Sequence, residues 1–212
     1  MGYVPSLMAG ILPRAIERFH AATTHVRLEL SDLNPQAMSD MAAAGAIDVA
    51  ILPNGLESIV PAFQWVQVHA LFPVLVMPRN HPLSKLKKIP PRCLREHRLH
   101  GLGQAQFPDY APRLRAILGP FGIKPILATQ AADSLATIFA AVEADGALAV
   151  LTEGVADMLP KSLVSRPFSP ALTPVIVFAG LLAVQPSSLA QTFVRLLCEA
   201  AKRTSGTCRP QK

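Results

Sequence analysis

Residues 26–52 read VRLELSDLNPQAMSDMAAAGAIDVAIL, and this stretch decides the fold class. Val26, Leu28 and Leu30 alternate with Arg27, Glu29 and Ser31, the period-two pattern of a half-exposed strand. Asn34-Pro35 then offers a helix cap followed by a first helical residue, where the fixed φ of proline fits and its missing N–H costs nothing. Met38, Met41 and Ala42 share an inward helical face, and Gly45 predicts the helix end, where a left-handed residue is wanted. Residues 47–52 are apolar apart from Asp48, as a strand buried on both faces would be. Strand, helix and buried strand in succession predict a parallel α/β unit.

Upstream, residues 2–5 predict a short strand, and Ser6 stands at the N-cap of a helix whose apolar face is Met8, Ile11, Leu12, Ala15, Ile16 and Phe19. Pro13 is expected to kink that helix. Downstream, residues 63–71 and 74–77 read as extended segments, and the Pro- and Lys-rich stretch 78–92 marks a change of lobe. A second unit repeats the order: a helix after Asp109 bearing Tyr110, Leu114, Ile117 and Phe121, a strand at 125–129, a helix at 133–144 and a strand at 147–151. The echo predicts two similar lobes with a crevice at strand carboxyl ends, where α/β proteins hold ligands. Past Gly154, a short helix and loops lead to a strand at 175–184 that should return to the first lobe. A final helix is expected after Ser187 or Ser188, with Leu189, Phe193, Leu196, Leu197 and Ala200 inward and a frayed tail after Lys202.

Composition removes several classes of function. With 50% apolar and 16% charged residues the chain can bury a large core, which excludes disorder. The apolar run at 175–184 is half of what a helix needs to cross a bilayer, so no membrane partner is expected. The first residues lack the basic and apolar regions of an export signal, and three scattered cysteines fit a reducing compartment, so the expected location is cytoplasmic. The formal charge of +6 comes from dispersed groups, without the shaped cationic element or stacking aromatics that nucleic acid requires.

Catalytic and cofactor motifs are equally scarce. Gly-x-Ser-x-Gly, the P-loop and His-Glu-x-x-His do not occur, and Gly101-Leu102-Gly103 is followed by Gln106 where a dinucleotide loop needs glycine. Cys93, His97 and His100 could approach a zinc ion, but they lack a fourth ligand and lie among arginines that repel a dication. No metal and no cofactor is therefore expected. The predicted crevice offers Asp133 and little else for acid–base chemistry, so no enzyme activity is expected.

Four pieces of sequence carry a resemblance: Gly2-Tyr3-Val4-Pro5-Ser6 leading to Leu12-Pro13; Glu29-Leu30 through Gly45-x-Ile47-Asp48; His81-Pro82-Leu83 after a Val-Leu-Val-Met-Pro strand; and Asp133-Ser134-Leu135 through Gly146 to Val150-Leu151. In this order and spacing, over about residues 1–200, the chain resembles the effector-binding (substrate-binding) domain of LysR-type transcriptional regulators, which has the type 2 periplasmic-binding-protein fold. Asp145 and Thr152 depart from the family, which often has a second glycine near Gly146 and a proline after Val150-Leu151. The resemblance implies two Rossmann-like lobes around a central cleft, here 1–72 with 180–212 and 73–179. It also implies a winged helix-turn-helix ahead of the first sensor strand, with which this chain begins.

For function, the resemblance implies a small-molecule effector, a homodimer of this domain within a tetramer of the full-length protein, and promoter DNA contacted only through the N-terminal domain. A periplasmic-type solute-binding protein for transport is the alternative on the same fold. The resemblance places the effector beside the helix start at Pro5, Ser6 and Leu7, where free N–H groups and the positive end of a helix dipole favour an anion. Leu33, Asn34, Pro35 and Pro53 would complete the first lobe's share. Gln104, Phe107 and Ser134 would supply the second, with Ser134 preferred to Asp133 because a carboxylate repels an anion. Polar tips, backbone groups and one aromatic ring suit a small organic acid, aromatic ones included.

Overall fold

The computed structural model describes residues 1–128 and 132–205, and among these it places two five-stranded sheets in a chain that divides into two compact units. The first unit takes Met1–Ala70 and the chain from Ile176 onward. It contains β1 (Gly2–Tyr3), α1 (Pro5–Met8), α2 (Leu12–Ala22), β2 (Ser31–Asp32), α3 (Pro35–Ala43), β3 (Val49–Pro53), β4 (Phe63–Leu71), and later β10 (Val175–Leu182) and α6 (Ser188–Ser205). Its sheet order is β2-β1-β3-β10-β4, with β1 parallel to β2 and β3 and β10 antiparallel to β3. Ala50, Ile51 and Leu52 are wholly buried, because both faces of this sheet are covered by helices. Met38 of α3 packs with Ile47, Leu52 and Phe63, and Phe19 of α2 meets Phe193 of α6 edge to face at 5.3 Å.

The second unit, Leu71–Val175, contains β5 (Pro73–Pro78), β6 (Arg98–His100), α4 (Tyr110–Leu118), β7 (Ile126–Leu127), α5 (Leu135–Asp145), β8 (Leu148–Thr152) and β9 (Leu163–Pro167). Its order is β7-β6-β8-β5-β9, with β6 parallel to β7 and β8, and β5 antiparallel to β8 and β9. Successive residues of β5 serve opposite faces, as strand geometry dictates. Leu75 and Met77 join Leu99, Leu114 and Leu118 in one core, whereas Val74 and Val76 join Ile138, Val142 and Val155 in the other.

Several local expectations are corrected. The helix expected from Ser6 through Phe19 is two helices, because Gly10 adopts φ +73° and ends the first turn; Pro13 then sits comfortably at the start of α2 rather than kinking it. Val26–Leu30 has the alternation of a strand but no ladder, since β1 offers two residues for pairing and these take Ser31 and Asp32. β6 and β9 were not expected from the sequence. Leu189 is 40% exposed instead of inward. The final helix runs to Ser205 rather than ending at Lys202; Thr129 and the tail beyond 205 lie outside the described residues.

Candidate functional site

In the first unit, β2, β1 and β3 are neighbours and run parallel, so their carboxyl ends share one edge of the sheet. Pro5, Ser6 and Leu7 follow β1, Leu33, Asn34 and Pro35 follow β2, and Pro53 ends β3. The Leu33 N–H donates to the Tyr3 carbonyl at 3.0 Å, tying the first two connections together. Every candidate residue of this unit therefore comes to the same sheet end. Asn34 is the cap of α3, its Oδ1 accepting the Ala37 N–H at 2.9 Å, with Pro35 first in the helix.

Ser6 is not a cap. Val4 holds that position, Ser6 is the second helical residue, and its hydroxyl makes no capping bond although the residue is only 6% exposed. The helix it belongs to is a single turn, so few aligned peptide dipoles lie behind it and the electrostatic argument for an anion at this point is weak.

One residue here escaped sequence reasoning. The ring Nε2 of His69, on β4, lies 2.7 Å from the Leu7 carbonyl, and because a carbonyl can only accept, that nitrogen carries the proton. Burial pushes the His69 pKa below its ordinary value, opposed by the bond to Leu7. No local pattern announces it, since its partner is 62 residues away. Asp32, at the end of β2, has its carboxyl pushed up by partial burial.

In the second unit, the loop after β6 is laced to the chain entering α5. Leu102 bridges Ala132, the Gly103 N–H donates to the Ala132 carbonyl at 2.7 Å, and the Ala132 N–H donates to Gly101 at 3.0 Å. This brings the loop carrying exposed Gln104 and half-buried Phe107 beside the helix start at Ser134. Ser134 is the cap, its Oγ accepting the Thr137 N–H at 3.2 Å. Asp133 instead accepts the Thr137 hydroxyl at 2.7 Å; that bond first, and one with Ser134 second, hold its carboxyl below the usual range. Under the loop, the Tyr110 hydroxyl donates to the Val150 carbonyl at 3.0 Å, and burial of that hydroxyl raises its pKa far above normal, so it remains a neutral donor.

The zinc-like trio does not converge. His100 is buried with Nε2 3.1 Å from Asp145 Oδ2, while the His97 ring meets His81 with centroids 5.5 Å apart. Among the described residues no three His, Cys, Asp or Glu side chains assemble as a metal site, and no helix is long and apolar enough to cross a membrane.

Comparison with known proteins matches this arrangement to one family. The model of the LysR substrate binding domain matches residues 1–202. No curated protein sequence matches the chain significantly. Among solved structures, the effector-binding domain of a BenM variant superposes with TM-score 0.79 at 16% identity, over 100% of this chain and 97% of that one. The effector-binding domain of QuiR in complex with shikimate gives 0.77 at 13%, over 95% of each. Full-length CbnR complexed with its target DNA gives 0.75 at 16%, over 95% of this chain and 69% of that one. At such identities the structures show a shared fold, and the family follows from the match along almost the whole chain: this protein belongs to the LysR substrate-binding-domain family of transcriptional regulators.

Proposed function

We propose that the chain is the effector-sensing and dimerisation domain of a DNA-binding regulator, and that it senses a small organic acid through the residues gathered at the strand carboxyl ends of its two units. The observation that carries this reading is the convergence of Pro5–Leu7, Leu33–Pro35 and Pro53 on the end of three parallel strands, matched in the second unit by the lacing of the 101–107 loop to Ser134. Each set offers hydroxyls, amides and apolar walls suited to holding a small molecule, which supports a sensing role. α5 has eleven residues, so its dipole and free N–H groups at Ser134 favour a carboxylate. Shikimate on QuiR and benzoate on BenM are small ring acids, which supports the same class here.

In this reading promoter sequence is recognised only by the winged helix-turn-helix of such regulators, and the sensor forms a side-by-side antiparallel homodimer, two of which make the tetramer. Edge positions fit that role: Leu30, next to β2, is 40% exposed, and Ile126 of β7 is 46% exposed. A transport protein shares the fold, but the matching family is one of regulators. Titration calorimetry with benzoate, shikimate and related monocarboxylates tests the site. A hydrogen bond worth about 0.5–1.5 kcal/mol makes Ser6→Ala and Ser134→Ala each weaken binding up to about tenfold. An acid that binds with unchanged affinity to both variants would move the site elsewhere.

A further inference from the structure

We propose a second small-molecule site in the first unit, at the amino-terminal end of its sheet, for an uncharged aromatic compound carrying one hydrogen-bond donor, of the indole or phenol type. A cavity of about 280 Å³ opens where Met1 enters β1, Val49 begins β3 and α6 starts. Its floor is the edge-to-face pair Phe19 and Phe193, 2% and 1% exposed. Val26, Leu28 and Leu189 form the walls. The exposure of Leu189, on a helix whose neighbouring turns are packed, leaves apolar surface facing water beside an aromatic floor. The volume lies just below the roughly 300 Å³ at which ligand pockets begin, and suits one or two fused rings.

The rim sets the charge. Asp48 lines the cavity and is exposed, so its carboxylate offers a hydrogen-bond acceptor at the rim. Arg27, the side-chain cation of the lining, lies 3.5 Å from Glu29. A ligand N–H or O–H therefore meets an acceptor in Asp48, whereas a ligand carboxylate would face that carboxylate with Arg27 already paired to Glu29. This selectivity is the reverse of that proposed for the organic acid. The two sites are separated by the length of β3, about 13 Å at 3.3 Å per residue, and can be filled together.

The test is a methyl ¹H–¹³C titration of the 212-residue chain with indole, and with benzoate as the charged counter-probe. Indole should shift the methyls of Val26, Leu28, Val49 and Leu189 saturably, and benzoate should shift them far more weakly. Ala190→Phe, which fills the cavity, should abolish the indole shifts; Asp48→Asn, on the exposed rim, should weaken indole and narrow its advantage over benzoate without disturbing the spectrum elsewhere. Ser6→Ala and Ser134→Ala should leave the indole titration unchanged, so failure of the effector reading is distinguishable from failure here. Non-saturating shifts, equal response to the two probes, or an indole titration indifferent to both pocket variants would each overturn the proposal.

Discussion

Replacing Gly101 with alanine would set a Cβ 2.6 Å from Tyr110 Cε1 and 3.3 Å from a methyl of Leu127. Carbon atoms rest at roughly 3.5–4.0 Å, so the structure must find nearly 1 Å. The backbone at Gly101 lies outside the left-handed region, which leaves the clash as the whole of the folded-state penalty. Tyr110 cannot retreat freely: its hydroxyl is bonded to Val150, and its ring packs against both cores of the second unit. Overpacking of this kind costs about 1–3 kcal/mol, and surrendering the hydroxyl bond to relieve it would cost about 1 kcal/mol more. Stiffening of the unfolded chain returns about 0.4–1 kcal/mol. The expected net loss is about 1–3 kcal/mol in urea denaturation followed by circular dichroism. Fluorescence of Trp65, the single tryptophan, reports the first unit and should move less if the units unfold separately. In a Tyr110→Ala background the added methyl should cost under about 0.5 kcal/mol. A Gly101→Ala variant as stable as the parent, or one equally destabilised with the ring absent, would refute the reasoning.

Three further outcomes are expected. Burial lowers the His69 pKa below the unfolded value near 6.5, so its contribution to stability is present above that value and is lost as pH falls through the lower folded one; His69→Gln should flatten the acid limb of a plot of Tm against pH, and an unchanged limb would clear His69 of the effect. Ser134→Asp keeps a good cap on α5 while adding negative charge, so thermal stability should hold and organic-acid binding should vanish by calorimetry; retained binding would show that no anion lies there. Leu30→Glu combined with Ile126→Glu should lower the mass seen by light scattering toward that of a monomer, and a dimer of undiminished affinity would exclude these edges from the interface.

The parts of this fold legible in the sequence are those whose signal is local and strong. The buried strands β3 and β5 are long apolar runs, Asn34-Pro35 announces α3 by its own chemistry, and Gly45 and Gly146 mark helix ends by taking φ of +66° and +65°. The misses need a partner before they mean anything. β6 has three residues, β9 carries Ser165 and Arg166 on a sheet edge, and Val26–Leu30 alternates faultlessly without a strand to pair with. Element order implies loops at strand carboxyl ends and the family resemblance picks out the candidate positions there, whereas His69 reaches Leu7 only through tertiary structure.

The misplaced helix start at Ser6 has the largest consequence for function. A dipole argument needs several aligned turns and cannot be made from one, and Gly10 separates that turn from α2. In the proposed reading, the first unit would recognise an effector through short-range groups: the Ser6 hydroxyl, the backbone of residues 33–35, and a Leu7 turn held by His69. Ser134, by contrast, sits on an eleven-residue helix whose first-turn N–H groups and dipole do favour negative charge, and Asp133 beside it opposes that field. Under the proposed effector reading, preference for an acid over its neutral analogue would therefore belong to the second unit, and preference among acids by shape to the first.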